Sequence, residues 1–226
     1  MRKEIQFNVP KDYSAVSLKK YLLLQDDLKN YEGDTDAQTA FLLYHLCGLT
    51  PEVIVQLDVS VLGKIKSDLD VLLNRQDFPL QRSIKIGEVE YGFEPNLGEM
   101  PYGAYLDLSK FETLSIDKNW ATVMSILYRP IINKAGALYE IKGYGGVEEG
   151  DEDKWLEIPM DFHFGTFFFF NRIYKDLLNG ILKSLTEEVS KGGTQHPHLH
   201  QILQESGEAI KVLQSLQERT YSSLMK

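Results

Sequence analysis

Three histidines alternate in the string His196-Pro197-His198-Leu199-His200. Imidazoles two residues apart fall on one side of an extended segment, and Pro197 favours that extension. Neutral imidazole nitrogens of this kind bind Zn²⁺ or Ni²⁺. A metal centre also needs a fourth ligand and supporting hydrogen bonds, and no nearby cluster supplies them. The string is therefore expected to be a polar linker between helices, with no metal and no cofactor. Asp161 and His163 offer a second carboxylate–imidazole pairing. General-base catalysis would need a nucleophile aligned with it, whereas an acid at a helix start complements the helix dipole without any reaction. Gly143, Gly145 and Gly146 do not form a phosphate cradle, because no GKS or GKT follows and no strand–glycine–helix context surrounds them. The same run, Gly143 to Asp153, is rich enough in oxygen for calcium but lacks the spacing of a helix–loop–helix calcium site. It reads as a solvated loop. No serine lies in a G-x-S-x-G elbow. Arg129 is expected to form an ion pair or to cap a helix C-terminus. No catalytic residue is assigned, and the chain is read as a non-enzyme.

The bulk numbers agree with a chain that folds around a core. Of 226 residues, 43% are hydrophobic and 25% charged, close to the average for globular domains. The net charge of -9 speaks against nucleic acid, whose nonspecific binding depends on Lys and Arg displacing counterions. It speaks equally against an anionic membrane surface. The lone Cys47 sits among Tyr44, Leu46 and Leu49 and reads as a small core residue in a reducing compartment. No run reaches the roughly 18–20 apolar residues of a membrane span. The start, MRKEIQFNVPKDY, is not followed by an apolar region, so no signal peptide is expected.

Periodicity then places the elements. Ile5, Phe7 and Val9 alternate like a half-buried strand. Ser17 is placed as the cap of a helix bearing Leu18, Tyr21, Leu22 and Leu28, and Asp34 to Asp36 as the start of another that Gly48 stops. Thr50-Pro51 restarts a helix, and Asp58 begins one with Val61, Leu62, Ile65, Leu69, Leu72 and Leu73 along one stripe. Ile84–Ile86 and Val89–Tyr91 flank Gly87-Glu88 as a tight hairpin. Pro101 to Leu108 reads as a short helix. A further helix carries Trp120, Met124, Leu127 and Tyr128, capped by Asp117 and stopped by Arg129-Pro130. Tyr139 to Ile141 suits an extended edge. The longest helix starts at Pro159, runs through the Phe167–Phe170 aromatics to Val189, and breaks at Lys191-Gly192-Gly193. A last amphipathic helix carries Ile202, Leu203, Ile210, Leu213, Leu216 and Leu224, and either packs back or serves as a partner arm. The fold class is α+β: mostly helical, with a small hairpin or sheet and a long C-terminal helical pair. The expected organisation is a single α-rich domain over residues 1–191 and a hinged helix over 192–226.

Several local features share an order. They are Tyr91-Gly92-Phe93, the Gly103–Leu108 segment with Tyr105 and Asp107, Ile126 to Pro130, and Phe167 to Phe170. Leu18 to Tyr21 and Leu46-Cys47-Gly48 add to them. Together they resemble the tail or baseplate assembly chaperones of tailed bacteriophages, over most of residues 5–185. That resemblance implies a non-enzymatic factor in the host cytoplasm that binds an unassembled tail or baseplate protein. The alternative is a structural virion component such as a tail, connector or internal cargo protein. The surplus tyrosines suit a core margin or a protein-binding face equally. Partner binding is assigned to Tyr91, Tyr102, Tyr105, Tyr128, Phe168, Phe169, Ile202 and Leu213.

Overall fold

A computed structural model describes residues 8–75, 77–111 and 115–192. The chain divides into two compact units, Met1–Phe167 and Phe168–Lys226. The fold is α+β, with eight α-helices and one four-stranded antiparallel sheet among the described residues. Residues 4–7 of the expected first strand lie outside the described residues, and Asn8 and Val9 belong to no strand.

The first four helices follow their sequence signals. Helix α1 (Leu18–Asn30) begins at Ser17, whose hydroxyl accepts from the Lys20 amide. Helix α2 (Thr35–Cys47) begins at Asp34, whose carboxylate accepts from the amides of Asp36 and Ala37. Both satisfy amides that the first helical turn leaves unpaired. Gly48 ends α2 at φ 69°, in the left-handed region. Pro51 opens the short α3 (Pro51–Ile54), although Thr50 makes no side-chain cap bond. Helix α4 (Val59–Leu73) buries Ile65, Leu69 and Leu72 along one stripe.

The sheet is larger than the expected hairpin. Strands β1 (Ser83–Ile86) and β2 (Val89–Phe93) pair around Gly87-Glu88 as anticipated. The sheet continues with β3 (Tyr128–Ala135) and β4 (Leu138–Ile141), in the order β1-β2-β3-β4. The β3–β4 turn repeats the device of the first hairpin. Ile86 faces Val89 around Gly87, and Ala135 faces Leu138 around Gly136. Gly87 and Gly136, each first in a two-residue turn, have φ of 59° and 64°, which a side chain would disfavour.

Between β2 and β3, helices α5 (Tyr102–Ser109) and α6 (Trp120–Leu127) intervene. The expected helix through Tyr128 is corrected here. Helix α6 ends at Leu127, and the chain enters β3 at the next residue. Arg129 precedes a proline and is biased to extended backbone, which the strand supplies. Pro130, which has no N–H to give to a ladder, lies beside the register shift between Ile131 and Asn133, a position where a sheet tolerates proline. Asp117 organises the turn before α6, its carboxylate accepting from the Asn119 amide at 2.7 Å.

The core of the first unit is aromatic. Helix α6 buries six of its eight residues, so it is enclosed nearly all round. It is joined by Trp155 of α7 (Asp153–Leu156) and by Phe162 and Phe164 at the start of α8 (Met160–Gly192). The starts of α1 and α8 are tied together: Leu18 N–H donates to Ile158 C=O and Met160 N–H to Val16 C=O. Phe164 then packs edge-on against Tyr13 and Tyr21, with ring centroids 4.8 and 5.5 Å apart. In the second unit α8 continues to Gly192. Residues 193–226, which hold the expected last helix, lie outside the described residues.

Candidate functional site

The assigned residues divide by exposure. Tyr128 is a core residue, 1% exposed. Its hydroxyl donates to the Gln81 carbonyl at 2.8 Å and meets Thr166 Oγ1 at 2.8 Å, while its ring packs on Phe93, Trp155 and Phe162. Its assignment to partner binding is corrected: every part of the side chain is used inside the first unit. Tyr91 is half-buried, edge-on to Trp155, with Lys154 Nζ 5.3 Å above its ring. Phe168 is buried and Phe169 half-buried, the latter edge-on to Phe170. Ile202, Leu213, His196, His198 and His200 lie outside the described residues.

Tyr102 and Tyr105 are different. They are 74% and 59% exposed, and their rings stack at 6.5 Å with an interplanar angle of 22°. Leu106, 42% exposed, extends the same stripe. Residues three and four apart share one face of a helix, so these three side chains form a continuous apolar strip on α5. Ala104, fully buried, holds the opposite side of the helix against the core. The Tyr105 amide donates to Pro101 C=O, closing the first turn.

The strip is framed by hydrogen bonds. Tyr144, from the loop after β4, lies against α5 where Gly103 leaves room: a Cβ there would sit 3.3 Å from the ring. Its hydroxyl donates to Asp107 Oδ2 at 2.5 Å, and Lys110 Nζ reaches Asp107 Oδ1 at 2.6 Å. Those bonds, from Lys110 first and Tyr144 second, hold the Asp107 carboxyl below its ordinary range. Burial, followed by the bond to Asp107, pushes the Tyr144 hydroxyl up. The Arg129 guanidinium lies 5.9 Å from the Tyr144 ring centroid. It is paired with Glu94, both side chains 8% exposed, and Nη1 donates to Lys142 C=O at 3.0 Å. Arg129 is thus the ion-pair residue that was expected. A second tyrosine locks the sheet alongside: Tyr139 donates to Phe93 C=O at 2.8 Å and its ring covers Gly92, where a Cβ would meet it at 2.6 Å.

His163 is not paired with Asp161, which accepts from the Phe162 amide instead. It is fully buried between the two tryptophans of the chain. Trp120 Nε1–H, which can only donate, reaches His163 Nδ1 at 3.2 Å. Nδ1 must therefore accept, and Nε2–H donates to Trp155 C=O at 3.1 Å. Trp155 Nε1–H continues the chain to Ser125 Oγ at 2.9 Å. Burial lowers the His163 pKa to about 4. Both ring nitrogens are engaged and the ring is dry, so it is a structural tie. The sequence carried a trace of this: His163 and Thr166 fall among Phe162, Phe164 and Phe167, where polar residues must find internal partners.

One histidine–carboxylate pair escaped the sequence reading. His45 Nε2 lies 2.6 Å from Asp27 Oδ2, bridging α2 and α1 beside a cavity of about 370 Å³ lined in part by Ser17, Leu23 and Tyr44. A catalytic use needs an activated nucleophile. Cys47 is buried and burial raises its thiol pKa, which suppresses the reactive thiolate. Ser17 Oγ is engaged as the α1 cap. The pair acts as a cross-helix tie. Among the described residues no group of three or more His, Cys, Asp or Glu side chains could hold a metal ion, and no helix is long and apolar enough to cross a membrane.

No family model, curated protein or solved structure matches this chain.

Proposed function

We propose that this chain is a non-catalytic protein-binding factor that docks its partner on the exposed face of α5. The observation that carries the reading is the stacked pair Tyr102 and Tyr105 with Leu106, three large apolar side chains exposed side by side on a helix that Tyr144 bonds through Asp107. Rigid exposed aromatics lose little conformational freedom on binding and dominate binding energy where they are buried by a partner. Both ring nitrogens of buried His163 are bonded within the first unit, and buried Glu94 and Arg129 pair with each other, leaving only Arg129 Nε without a hydrogen-bond partner among the described buried side-chain atoms. The resemblance to bacteriophage assembly chaperones names the partner of this proposal as an unassembled tail or baseplate protein, met in the host cytoplasm.

The test is capture with the tagged chain from infected cells, with bound proteins identified by mass spectrometry. A virion protein bound stoichiometrically, and lost with Tyr102→Ala/Tyr105→Ala, is the expected result. Retention of the same protein by the double variant would contradict the α5 assignment. Mass spectrometry of purified particles addresses the assembly role: stoichiometric presence in mature virions would make the chain a structural component rather than a chaperone.

A further inference from the structure

We infer that the cleft between α1 and α2, apart from the α5 face, is a binding site for a small organic anion with an apolar body. The cavity of about 370 Å³ lies there, and Ser17, Lys19, Lys20, Leu23, Tyr44 and His45 line it. That volume suits a small molecule. The described lining residues include two lysines and no carboxylate. Both lysines stand in the first turn of α1, which holds no acid. The helix dipole disfavours cations at that end, and an anion in the cavity would offset them. Lys19 reaches Glu157 at 3.9 Å, but both side chains are exposed, and such pairs contribute little. The Lys20 ammonium makes no hydrogen bond or ion pair among the described residues. Its charge is felt across the cleft at Cys47, where it opposes the rise that burial imposes on the thiol. His45 lines the same cavity from α2 while only 8% exposed. Its Nε2 is held by Asp27; Nδ1 makes no hydrogen bond among the described residues and is not sealed from solvent. A protonated ring donates from both nitrogens, one to Asp27 and one to a ligand. The Ser17 hydroxyl accepts from the Lys20 amide and keeps its own proton to give. Exposed Leu23 and Tyr44 supply an apolar wall. Two cations, two further donors and an apolar wall favour an anion on a hydrocarbon body over a neutral or cationic one. A carboxylate and a phosphate monoester share that chemistry.

The experiment titrates the full chain with phenylacetate, phenyl phosphate, phenylethanol and phenylethylamine, with binding read by saturation-transfer NMR and by the shift in Tm. At least one of the two anions should bind with a Kd of about 1 mM or tighter and raise Tm. The alcohol and the amine should bind at least about tenfold more weakly. Binding of phenylacetate alone assigns a carboxylate ligand, and binding of phenyl phosphate alone a phosphate monoester. Lys19→Gln/Lys20→Gln should weaken the anion about tenfold. Because it removes two cations from a helix N-terminus, that variant should melt no lower than the parent. Lys19→Arg/Lys20→Arg, which keeps both charges, should retain most of the affinity. Equal binding of phenylethanol, anion binding by the glutamine variant within about twofold of the parent, or no binding of either anion at about 10 mM overturns the inference. A glutamine variant that melts below the parent shows that the lysines serve the fold, and overturns it as well.

Discussion

Tyr128 and Tyr105 show two uses of one residue type. Tyr128 sits at the junction of α6 and β3, 1% exposed, with its ring among three aromatic neighbours and its hydroxyl bonded twice. Tyr105 stands 59% exposed on α5, with its ring stacked on Tyr102. The region around Tyr128, Trp120, Trp155 and His163 has every ring packed and the indole, imidazole and phenol polar atoms satisfied. That is what a buried aromatic requires, because an unmatched polar atom in a dry core costs more than a bond contributes. The α5 strip has neither burial nor such partners; beside it stand the Tyr144–Asp107 and Lys110–Asp107 bonds. The difference separates side chains that hold the fold from side chains that the fold holds out.

Substitutions should divide along the same line. The largest effect is expected from Trp120→Ala, which empties a fully buried site and strands the acceptor nitrogen of His163; a loss of about 3–5 kcal/mol is expected, measured by denaturant unfolding. Next comes acid. His163 has a folded pKa of about 4, below the ordinary histidine value of about 6.5. The unfolded chain therefore takes up a proton before the folded one does. Stability is full above about pH 6.5 and falls as pH drops toward 4, by roughly 3 kcal/mol in total from this residue. The slope of unfolding free energy against pH in that window should flatten in His163→Gln, and an unchanged slope would place the acid sensitivity elsewhere.

A matched pair of glycines sharpens the contrast. Gly165, in the buried first turns of α8, lies where a Cβ would come 2.4 Å from the Pro79 carbonyl oxygen, while Gly63 in α4 has nothing within 4 Å. Alanine is the better helix former at both. Gly165→Ala should nevertheless destabilise, by about 1–3 kcal/mol, and Gly63→Ala should stabilise by roughly 0.5–1 kcal/mol, both read from thermal or denaturant midpoints. The smallest effect belongs to the strip: Tyr102→Ala/Tyr105→Ala should change unfolding free energy by no more than about 0.5 kcal/mol per site. A larger loss would make α5 a fold element rather than a display surface.

Much of this frame was legible because it is local. Ser17, Asp34, Gly48 and the Gly87 turn act on residues two to four positions away, so their signals survive in a linear reading. Strand β3 did not. Arg129-Pro130 was read as a helix stop, although the same proline bias that ends a helix also sets up extended chain. Helix α6 passes to the strand with no loop between, which hid the change of period. Gly136-Ala137 lacks the polar residues that advertise a turn. The His45–Asp27 tie and the Trp120–His163 bond join residues 18 and 43 positions apart, and no spacing rule reaches that far. The surplus of tyrosines was visible, but which of them face outward depends on packing: Tyr128 was sorted with Tyr102 and Tyr105 until its neighbours were known.

The central claim, that α5 is the docking face, is tested most directly by amide hydrogen exchange on the full chain with and without its captured partner. New protection in peptides covering residues 97–111, with none in 18–48, is the predicted result. Protection confined to 18–48, the groove between α1 and α2 beside His45, with α5 unchanged, would contradict it.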